Sequence, residues 1–356
     1  MSAAFPAGAS ERPGRILAAE VAEQPDVLRR VLTDGAGPIR RTAEAIAARH
    51  PRFALLTARG TSDHAALYGK YLLEIRHGLP CGLASMSTVT VYGARPRLTD
   101  VLVIGVSQWG GSPDLVSTVW AARNAGAITL ALTNDPDSAL AGVAEFHIDV
   151  RAGQERALPA TKSYIASLLS LYLLSEGLRG GDGAAALALP DIAERILARR
   201  DEVRALANRY RFAERMVVVS RGYGYPTARE AALKLMETCY LPALPYSGAD
   251  LLHGPLAMID HLTPVIAVVP EGRARDALRP VLVRIRGRGA DLAVVGPEAE
   301  VNRAAAGFVL PTEGIPEDLQ PVLEILPLHV LAYELALIRG QDPDVPRTMA
   351  KTPQTR

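Results

Sequence analysis

The chain has 356 residues and a formal net charge of +1. That length allows two domains, and the balanced charge argues against nucleic acid as the default partner, so a small molecule or another protein is favoured. We expect a cytoplasmic protein, because no apolar run is long enough to span a membrane and no signal peptide is visible. The two cysteines, Cys81 and Cys239, match no disulfide or metal-ligand spacing.

Short apolar runs alternate with amphipathic stretches, a pattern typical of parallel strands joined by helices. We expect residues 1–15, which are rich in Ala, Gly and Pro, to be disordered. Helical periodicity begins at 16–32, with Pro25 at a break between two helices. Buried strands are predicted at FALLTA (53–58), VLVIGVS (101–107), ITLALTN (128–134), FHIDV (146–150), MVVVSRG (216–222), PVIAVVP (264–270), ADLAVVG (290–296) and FVLP (308–311).

The later strands repeat the earlier ones at a nearly constant distance. VLVIGVS and PVIAVVP, for example, begin 163 residues apart. This spacing predicts two copies of one doubly wound α/β domain. We assign the first domain to 16–185 and the second to 186–340, with a Gly-rich segment at their junction and a polar tail at 341–356.

Ligands of such sheets bind beyond the carboxyl ends of the strands, so the residues there are candidates for a site. In the first domain these loops read Arg59-Gly60-Thr61-Ser62 and Ser107-Gln108-Trp109-Gly110-Gly111-Ser112, each before a helix. Glycines, hydroxyls and a helix N-terminus together favour a phosphate, although a single Ser or Thr there is equally typical of an ordinary helix cap. Neither loop is a nucleotide-binding motif. The corresponding loops of the second domain are poor in hydroxyls.

Lysine is scarce in this chain, which favours sites where a guanidinium cannot replace an amine. Only Lys70, Lys162, Lys234 and Lys351 stand among 39 basic residues. Lys234 and Glu237 are three residues apart on a predicted helix, where an exposed ion pair is the ordinary interpretation. His253 precedes Gly-Pro, where a loop or capping role is the ordinary one.

Seven segments carry a family resemblance when they are taken together and in order. They are EVAEQPDVLRR, ARGTS, SQWGGSPD, ALPATKS, EAALKLMET, LLHGPLAMID and DPDVPRTMAK. Both halves resemble sugar isomerase (SIS) domains, and residues 16–356 are similar to the isomerase half of glutamine:fructose-6-phosphate aminotransferases. The resemblance implies an α/β fold of two tandem doubly wound parallel sheets that are flavodoxin-like.

The resemblance also implies roles for individual residues. Ser62, Ser107, Gln108 and Ser112 would hold a phosphate, with Gly60, Thr61 and Trp109 beside it and Leu158, Ala160 and Thr161 along the sugar. Glu237 would move a proton between C1 and C2, with Lys234 stabilising the charge that develops. His253, from a neighbouring subunit of a homodimer, would open the sugar ring, and Lys351, in a tail that closes the site, would form a Schiff base. The resemblance implies no metal and no redox cofactor.

The expected activity is that of an aminosugar-phosphate deaminase or isomerase, which converts glucosamine 6-phosphate to fructose 6-phosphate and ammonia. The glutamine-using relatives begin with a glutaminase domain, whereas this chain starts at Met1-Ser2 without one, so we do not expect glutamine as the nitrogen donor. The alternatives are a synthase-type isomerase fed by a partner, a deglycase of sugar-amine conjugates, a simple phosphosugar isomerase and a non-catalytic phosphosugar sensor. Trp109 stands where the family has Ser, which favours a substrate that is larger, differently oriented or more weakly held by its phosphate.

Overall fold

Strands and helices alternate through the first half of the chain in a computed structural model that describes residues 12–345 and residue 347. Three helices come first, and a single π-helical turn joins the second to the third. The elements are α1 (Arg15–Ala22), α2 (Gln24–Arg30), α3 (Ala36–Ala47), β1 (Phe53–Thr57), α4 (Thr61–His77), β2 (Cys81–Leu83), α5 (Ser87–Thr90), β3 (Val101–Ser107), α6 (Pro113–Asn124), β4 (Ile128–Thr133), α7 (Ala139–Val143), β5 (Phe146–Asp149) and α8 (Lys162–Leu178).

The second half repeats this alternation after two connecting helices. Its elements are α9 (Leu189–Ala198), α10 (Arg200–Arg209), β6 (Met216–Ser220), α11 (Tyr225–Cys239), β7 (Ala243–Ser247), α12 (Gly248–Leu252), β8 (Pro264–Val268), α13 (Arg273–Gly287), β9 (Asp291–Gly296), α14 (Glu298–Val301), β10 (Ala306–Val309) and α15 (Pro321–Ile338).

The two sheets have the same topology, which confirms the predicted duplication of a doubly wound α/β domain. Their strand orders are β2-β1-β3-β4-β5 and β7-β6-β8-β9-β10, and every strand pair is parallel. The order reverses between β1 and β3 in the first sheet and between β6 and β8 in the second. Ligands of such folds bind at these reversal points.

Two edge strands, β2 and β7, were not predicted from the sequence. They read CGL and ALPYS and are largely half-buried or exposed, so they lack the apolar run that marks the central strands. Pro245 lies within β7, and an edge position tolerates a proline because one side of the strand needs no hydrogen bond.

Two helices that are apolar around their whole circumference, α8 and α15, lie in the core. One hydrophobic cluster passes through both halves and contains Leu56, Leu168 and Leu326. Helix α15 has the length and mean hydropathy (1.6) of a membrane span, but 89% of it is buried inside the protein. Its apolar surface is therefore accounted for by packing against its neighbours, including α10 and α11.

The start of the chain differs in part from the expected disorder at 1–15. Residues 1–11 lie outside the described part, but Gly14 is buried and Arg15 begins α1. The Gly14 N–H donates to Asp342 Oδ1 at 2.9 Å, so a long-range hydrogen bond fixes this position. The prediction of a helix break at Pro25 is confirmed, because α1 ends at Ala22 and Pro25 lies in the first turn of α2.

Candidate functional site

Two loops of the first sheet bring helix N-termini to its reversal point. Gly60 precedes α4 with a φ of 55°, and Gly110 lies in the loop before α6 with a φ of 60°. A Cβ at Gly110 would lie 2.3 Å from Ser138 Oγ, so only glycine fits this turn. Because β1 and β3 are adjacent, the unpaired N–H groups of both helices meet at one edge of the sheet.

A cavity of about 250 Å³ lies at this edge, bounded by the two loops, the segment before α8, and α11. Thr161, which was expected beside the sugar, is instead a buried residue at the start of α8 whose N–H donates to Glu155. The structure brings the other predicted substrate-binding residues together, and those that line the cavity are Gly60, Thr61, Ser62, Ser107, Gln108, Trp109, Ser112, Leu158 and Ala160.

Glu155 anchors the segment that carries Leu158 and Ala160, a role that no sequence motif indicated. Its Oε1 accepts the N–H groups of Thr161 and Lys162 at 2.8 and 2.9 Å, so a carboxylate caps the N-terminus of α8. Its Oε2 accepts Gln108 Nε2 at 2.6 Å. One amide hydrogen of Gln108 is therefore committed to Glu155, and the orientation of this side chain in the cavity wall is fixed.

Glu237 lines the same cavity from the second half of the chain, on α11. Its Oε2 accepts a hydrogen bond from Lys234 Nζ at 2.6 Å. The Lys234 side chain is only 2% exposed and that of Glu237 is 19% exposed. The spacing predicted an exposed ion pair. The pair exists, but the prediction that it is exposed is wrong, because both side chains are largely buried.

A second carboxylate, Glu230, neutralises Lys234 from the interior at 3.3 Å. Burial alone raises the pKa of Glu230, but Lys234 and His64 outweigh burial and hold this pKa at about 2. Burial likewise lowers the pKa of Lys234, but Glu230 and Glu237 raise it above its ordinary value. The ammonium and the Glu230 carboxylate therefore both stay charged, as a buried pair requires.

Glu230 also joins the two halves, because it accepts hydrogen bonds from α4. Thr61 Oγ1 donates to Glu230 Oε1 at 3.0 Å, and His64 Nδ1 lies 2.7 Å from Glu230 Oε2. The first-half loop and the Glu237 side chain are thus connected through Glu230 and Lys234. Since the Thr61 hydroxyl is committed to Glu230, Ser62, Ser107 and Ser112 are the stronger candidates for holding an anion.

Of the other predicted catalytic residues, Lys234 does not itself line the cavity and contacts it only through Glu237. His253 is exposed directly after α12 and does not line the cavity. Its predicted role requires a neighbouring subunit and stays a prediction. Lys351 lies outside the described residues.

Several cavity residues were not predicted as site residues. Arg59 stands directly before Gly60, and its Nε and Nη2 donate to the buried Asp114 Oδ2 at 3.1 and 2.7 Å. Its adjacency to Gly60-Thr61 was the signal that could have identified it. The other polar cavity residues that were not predicted lie on α8, where they interrupt its apolar pattern. They are Ser163, Tyr164 and Ser167.

The cavity is suited to a small anion that also carries hydroxyl groups. The first half lines the cavity with serine hydroxyls, the Gln108 amide and the N-termini of α4 and α6, and the second half lines it with the Glu237 carboxylate. Over residues 12–345 and 347, no group of three or more His, Cys, Asp or Glu side chains could hold a metal ion. The cavity volume lies just below the range of about 300–1,000 Å³ that is usual for ligand sites in proteins.

A family model described as the SIS domain matches this chain twice, over residues 49–176 and 210–339. The chain belongs to the SIS domain family. Each match covers one of the two sheets, and the predicted resemblance is confirmed.

The curated relatives extend this result to nearly the full chain. It is 34% identical over 351 residues to the isomerizing glutamine–fructose-6-phosphate aminotransferase of Gloeobacter violaceus, a match that covers 94% of this chain and 57% of that protein. The isomerizing glutamine–fructose-6-phosphate aminotransferase of Methanothermobacter thermautotrophicus is 34% identical over 297 residues. This match covers 83% of this chain and 50% of that protein. This chain therefore spans about half the length of the curated relatives that it matches.

Solved structures agree with the fold. A protein of Silicibacter pomeroyi DSS-3, provisionally assigned as a phosphosugar isomerase, matches with a TM-score of 0.83 and 33% identity, over 92% of this chain and 99% of that one. Glucosamine-6-phosphate deaminase of Thermotoga maritima matches with a TM-score of 0.74 over 94% and 98% of the two chains. At 18% identity, the second likeness shows the fold alone.

Proposed function

We propose that this SIS protein is an aminosugar-phosphate deaminase, which converts glucosamine 6-phosphate and water to fructose 6-phosphate and ammonia. The observation that carries the proposal is that Glu237, a carboxylate held by Lys234, lines the same small cavity as the hydroxyl-rich loops. A phosphate on the loops would fix the sugar, and a fixed carboxylate would then move a proton between adjacent carbons.

The anchoring step uses the first half. The phosphate lies at the N-termini of α4 and α6, where backbone N–H groups and the hydroxyls of Ser62, Ser107 and Ser112 donate to it. Arg59 lines the cavity, and its ion pair with the buried Asp114 links the two loops. The positive ends of the two helices add to the attraction.

The proton-transfer step uses the second half. His253 of a neighbouring subunit assists ring opening, and Glu237 then takes the proton from C2 and returns it to C1. The Lys234 ammonium, which does not line the cavity but holds Glu237 at 2.6 Å, stabilises the negative charge that develops on the enolate oxygen at C1. The product of this transfer is an imine at C2, which Lys351 attacks with release of ammonia. Water then hydrolyses the resulting Schiff base to the ketone, so one water is consumed and no electrons are transferred.

A synthase-type activity is the second candidate, because the curated relatives that match 94% and 83% of this chain are isomerizing aminotransferases. The sugar chemistry is the same in the two candidates, since both interconvert a C2 imine and its aldose isomer. They differ in the source or fate of the nitrogen. An assay that follows nitrogen therefore distinguishes them.

The test is to incubate the purified chain with glucosamine 6-phosphate and to measure ammonia and fructose 6-phosphate. A parallel reaction contains fructose 6-phosphate with either glutamine or ammonium. We expect equimolar ammonia and fructose 6-phosphate in the first reaction and no glutamine consumption in the second. Glucosamine 6-phosphate formed from glutamine would establish the synthase instead, and inactivity in both reactions would refute the proposal and favour a deglycase or a sensor.

A further inference from the structure

The segment between β5 and α8, residues 150–161, is largely buried but contains no helix or strand. Two of its residues, Leu158 and Ala160, line the cavity. A buried stretch of irregular backbone cannot pair its N–H and C=O groups within a helix or a sheet, so other groups must pair with them. The side chains that do so therefore decide how Leu158 and Ala160 are presented to a ligand.

Glu20, on α1, holds the middle of this irregular segment. Its side chain belongs to a residue that is only 5% exposed. Glu20 Oε1 accepts the N–H of Arg156, and Glu20 Oε2 accepts the N–H of Ala157 at 3.1 Å. Because Ala157 directly precedes Leu158, both oxygens of one buried carboxylate fix the backbone next to the cavity lining.

Arg30, the last residue of α2, holds the start of the segment. Its Nε and Nη2 donate to the carbonyl oxygens of Arg151 and Ala152 at 3.3 and 3.0 Å. One guanidinium thus pairs with two successive carbonyl groups that have no helix or strand partner.

Glu23, between α1 and α2, connects the two ends of the segment. Its Oε1 accepts a hydrogen bond from Arg30 Nη2 at 2.9 Å, and its Oε2 accepts one from Lys162 Nζ at 2.6 Å. Lys162 is the first residue of α8, and its side chain is 3% exposed. Burial alone raises the pKa of Glu23, but Lys162 and Arg30 outweigh burial and hold it below its ordinary value. The carboxylate therefore stays charged between its two cations.

We propose that Glu20, Glu23 and Arg30 form a clamp that holds the irregular segment against the sugar of the substrate. All three belong to the stretch EVAEQPDVLRR, and they are positioning residues because none of them lines the cavity. This inference rests on the proposed function, in which the first-half loops anchor the phosphate and the sugar lies along the segment. A loosened clamp would leave the segment in its binding conformation for only part of the time, and the affinity for the sugar would fall by that fraction.

Two neighbouring arginines give a matched pair of variants. Arg30→Met removes the guanidinium from the clamp and keeps an apolar side chain. Arg29→Met makes the same change one position earlier, where the guanidinium instead contacts Glu194 on α9 at 2.6 Å. The side chains of Arg30 and Arg29 are 38% and 39% exposed, so the comparison isolates the contact with the irregular segment.

Glu20→Gln tests the middle of the clamp with almost no change in size. A glutamine amide has one acceptor oxygen and turns its NH₂ donors toward the other backbone N–H, so one of the two hydrogen bonds is lost. Glu23→Gln and Lys162→Met test the link between the ends. Because these two residues act through one ion pair, the double variant should bind fructose 6-phosphate no more weakly than the weaker of the single variants.

Each protein is titrated calorimetrically with fructose 6-phosphate and, separately, with inorganic phosphate. We expect about tenfold weaker binding of fructose 6-phosphate in Arg30→Met and Glu20→Gln, the value of one hydrogen bond to a charged group. Binding of inorganic phosphate should keep the wild-type affinity, because the loops before α4 and α6 are unchanged. Arg29→Met should match the wild type for both ligands.

Hydrogen exchange reports on the clamp without any ligand. It is followed by mass spectrometry on peptides that cover residues 150–161. The N–H groups of Arg156 and Ala157 should exchange faster in Glu20→Gln than in the wild type, whereas peptides from the second half should exchange at the wild-type rate.

The outcomes separate the clamp from the proposed function. Wild-type affinity for fructose 6-phosphate in Arg30→Met and Glu20→Gln would overturn the clamp. Equal losses for both ligands would also overturn it, because a general loosening of the protein weakens the binding of every ligand. If the wild type bound inorganic phosphate but not fructose 6-phosphate, the proposed function would fail. Unchanged exchange of residues 150–161 in Glu20→Gln would then overturn the clamp as well, whereas faster exchange would support it.

Discussion

The two halves share one strand order, but equivalent helix N-termini meet different groups. In the first half α6 begins behind Ser112, which lines the cavity and makes no side-chain capping bond. In the second half α13 occupies the equivalent position, and its first N–H groups, from Arg273 and Ala274, donate to Glu317 at 2.7 and 2.8 Å. A carboxylate of the chain itself thus holds the place that a phosphate would take in the first half.

A second acidic side chain, Glu324, fills the same end of the second sheet. Glu324 is fully buried, and its Oε2 accepts a hydrogen bond from Thr227 Oγ1 at 3.2 Å. A Cβ at Gly224, in the loop after β6, would lie 3.3 Å from this oxygen. The comparison teaches that the two sheets share one topology, whereas the groups at the equivalent helix N-termini differ: a cavity in the first half and carboxyl groups of the chain itself in the second.

The halves therefore divide the proposed work, with the anchor in the first and the base in the second. Glu237 lies on α11, which follows β6 just as α4 follows β1. Packing of α4 against α11 and the contact of Thr61 with Glu230 bring the base of one half over the loops of the other. A cavity of this composition requires both halves.

The largest effect on turnover is expected from Glu237→Gln, which removes the proposed base of the second half and leaves the anchoring loops of the first half intact. Turnover of glucosamine 6-phosphate should fall by about 10²–10⁴-fold, the usual contribution of a general base. Binding of fructose 6-phosphate, measured by titration calorimetry, should change little because the anchoring loops are untouched. Full turnover in Glu237→Gln would eliminate Glu237 as the base.

The sequence predicted most of this division between anchoring loops in the first half and a base in the second. Ser112 and Glu237 belong to local motifs, and the central strands are continuous apolar runs. Glu155 and Glu317 could not be predicted, because a carboxylate that caps a helix lies at an arbitrary distance along the chain: Glu317 follows the first residue of α13 by 44 positions. Burial of Lys234 was also missed, since i,i+3 spacing is the same on an exposed and a buried helix face.

Ser112→Ala tests whether the first-half hydroxyls bind a ligand or merely cap helices. We expect about tenfold weaker binding of fructose 6-phosphate, the value of one hydrogen bond to a charged group, with an unchanged free energy of unfolding. Ser138 is the matched control, because its Oγ accepts the Ala141 N–H at the start of α7. Ser138→Ala should lower stability by about 1 kcal/mol and leave binding unchanged. The opposite pattern would make Ser112 an ordinary cap.

Glu317→Ala tests whether the second-half carboxylate serves structure alone. Loss of its bonds to the first turn of α13 should lower the free energy of unfolding by about 1–2 kcal/mol, measured in urea. The affinity for fructose 6-phosphate should equal that of the wild type, since neither Glu317 nor the first turn of α13 lines the cavity. A large loss of affinity would mean that the second sheet takes part in binding.

Glu324→Gln should affect only the stability of the protein, and the size of this change in the free energy of unfolding should depend on pH. Burial raises the pKa of Glu324 to about 8, against the opposing hydrogen bond from Thr227 and with a further contribution from Glu317. Between about pH 4.5, the ordinary value, and pH 8, the folded state keeps a proton that the unfolded chain has released. Stability contributed by this group therefore falls as the pH rises through that interval.

The glutamine variant cannot ionise, so its unfolding free energy should decline less between pH 5 and pH 8. At pH 8 its free energy of unfolding, measured by urea denaturation, should exceed that of the wild type. Glu300→Gln is the control, because Glu300 is equally buried but paired with Arg279 at 2.8 Å, and its loss should destabilise the protein at both pH values. If Glu324→Gln retained the wild-type slope, the pH dependence would originate elsewhere, and the second half would fill its reversal point with an ionised carboxylate rather than a neutral acid.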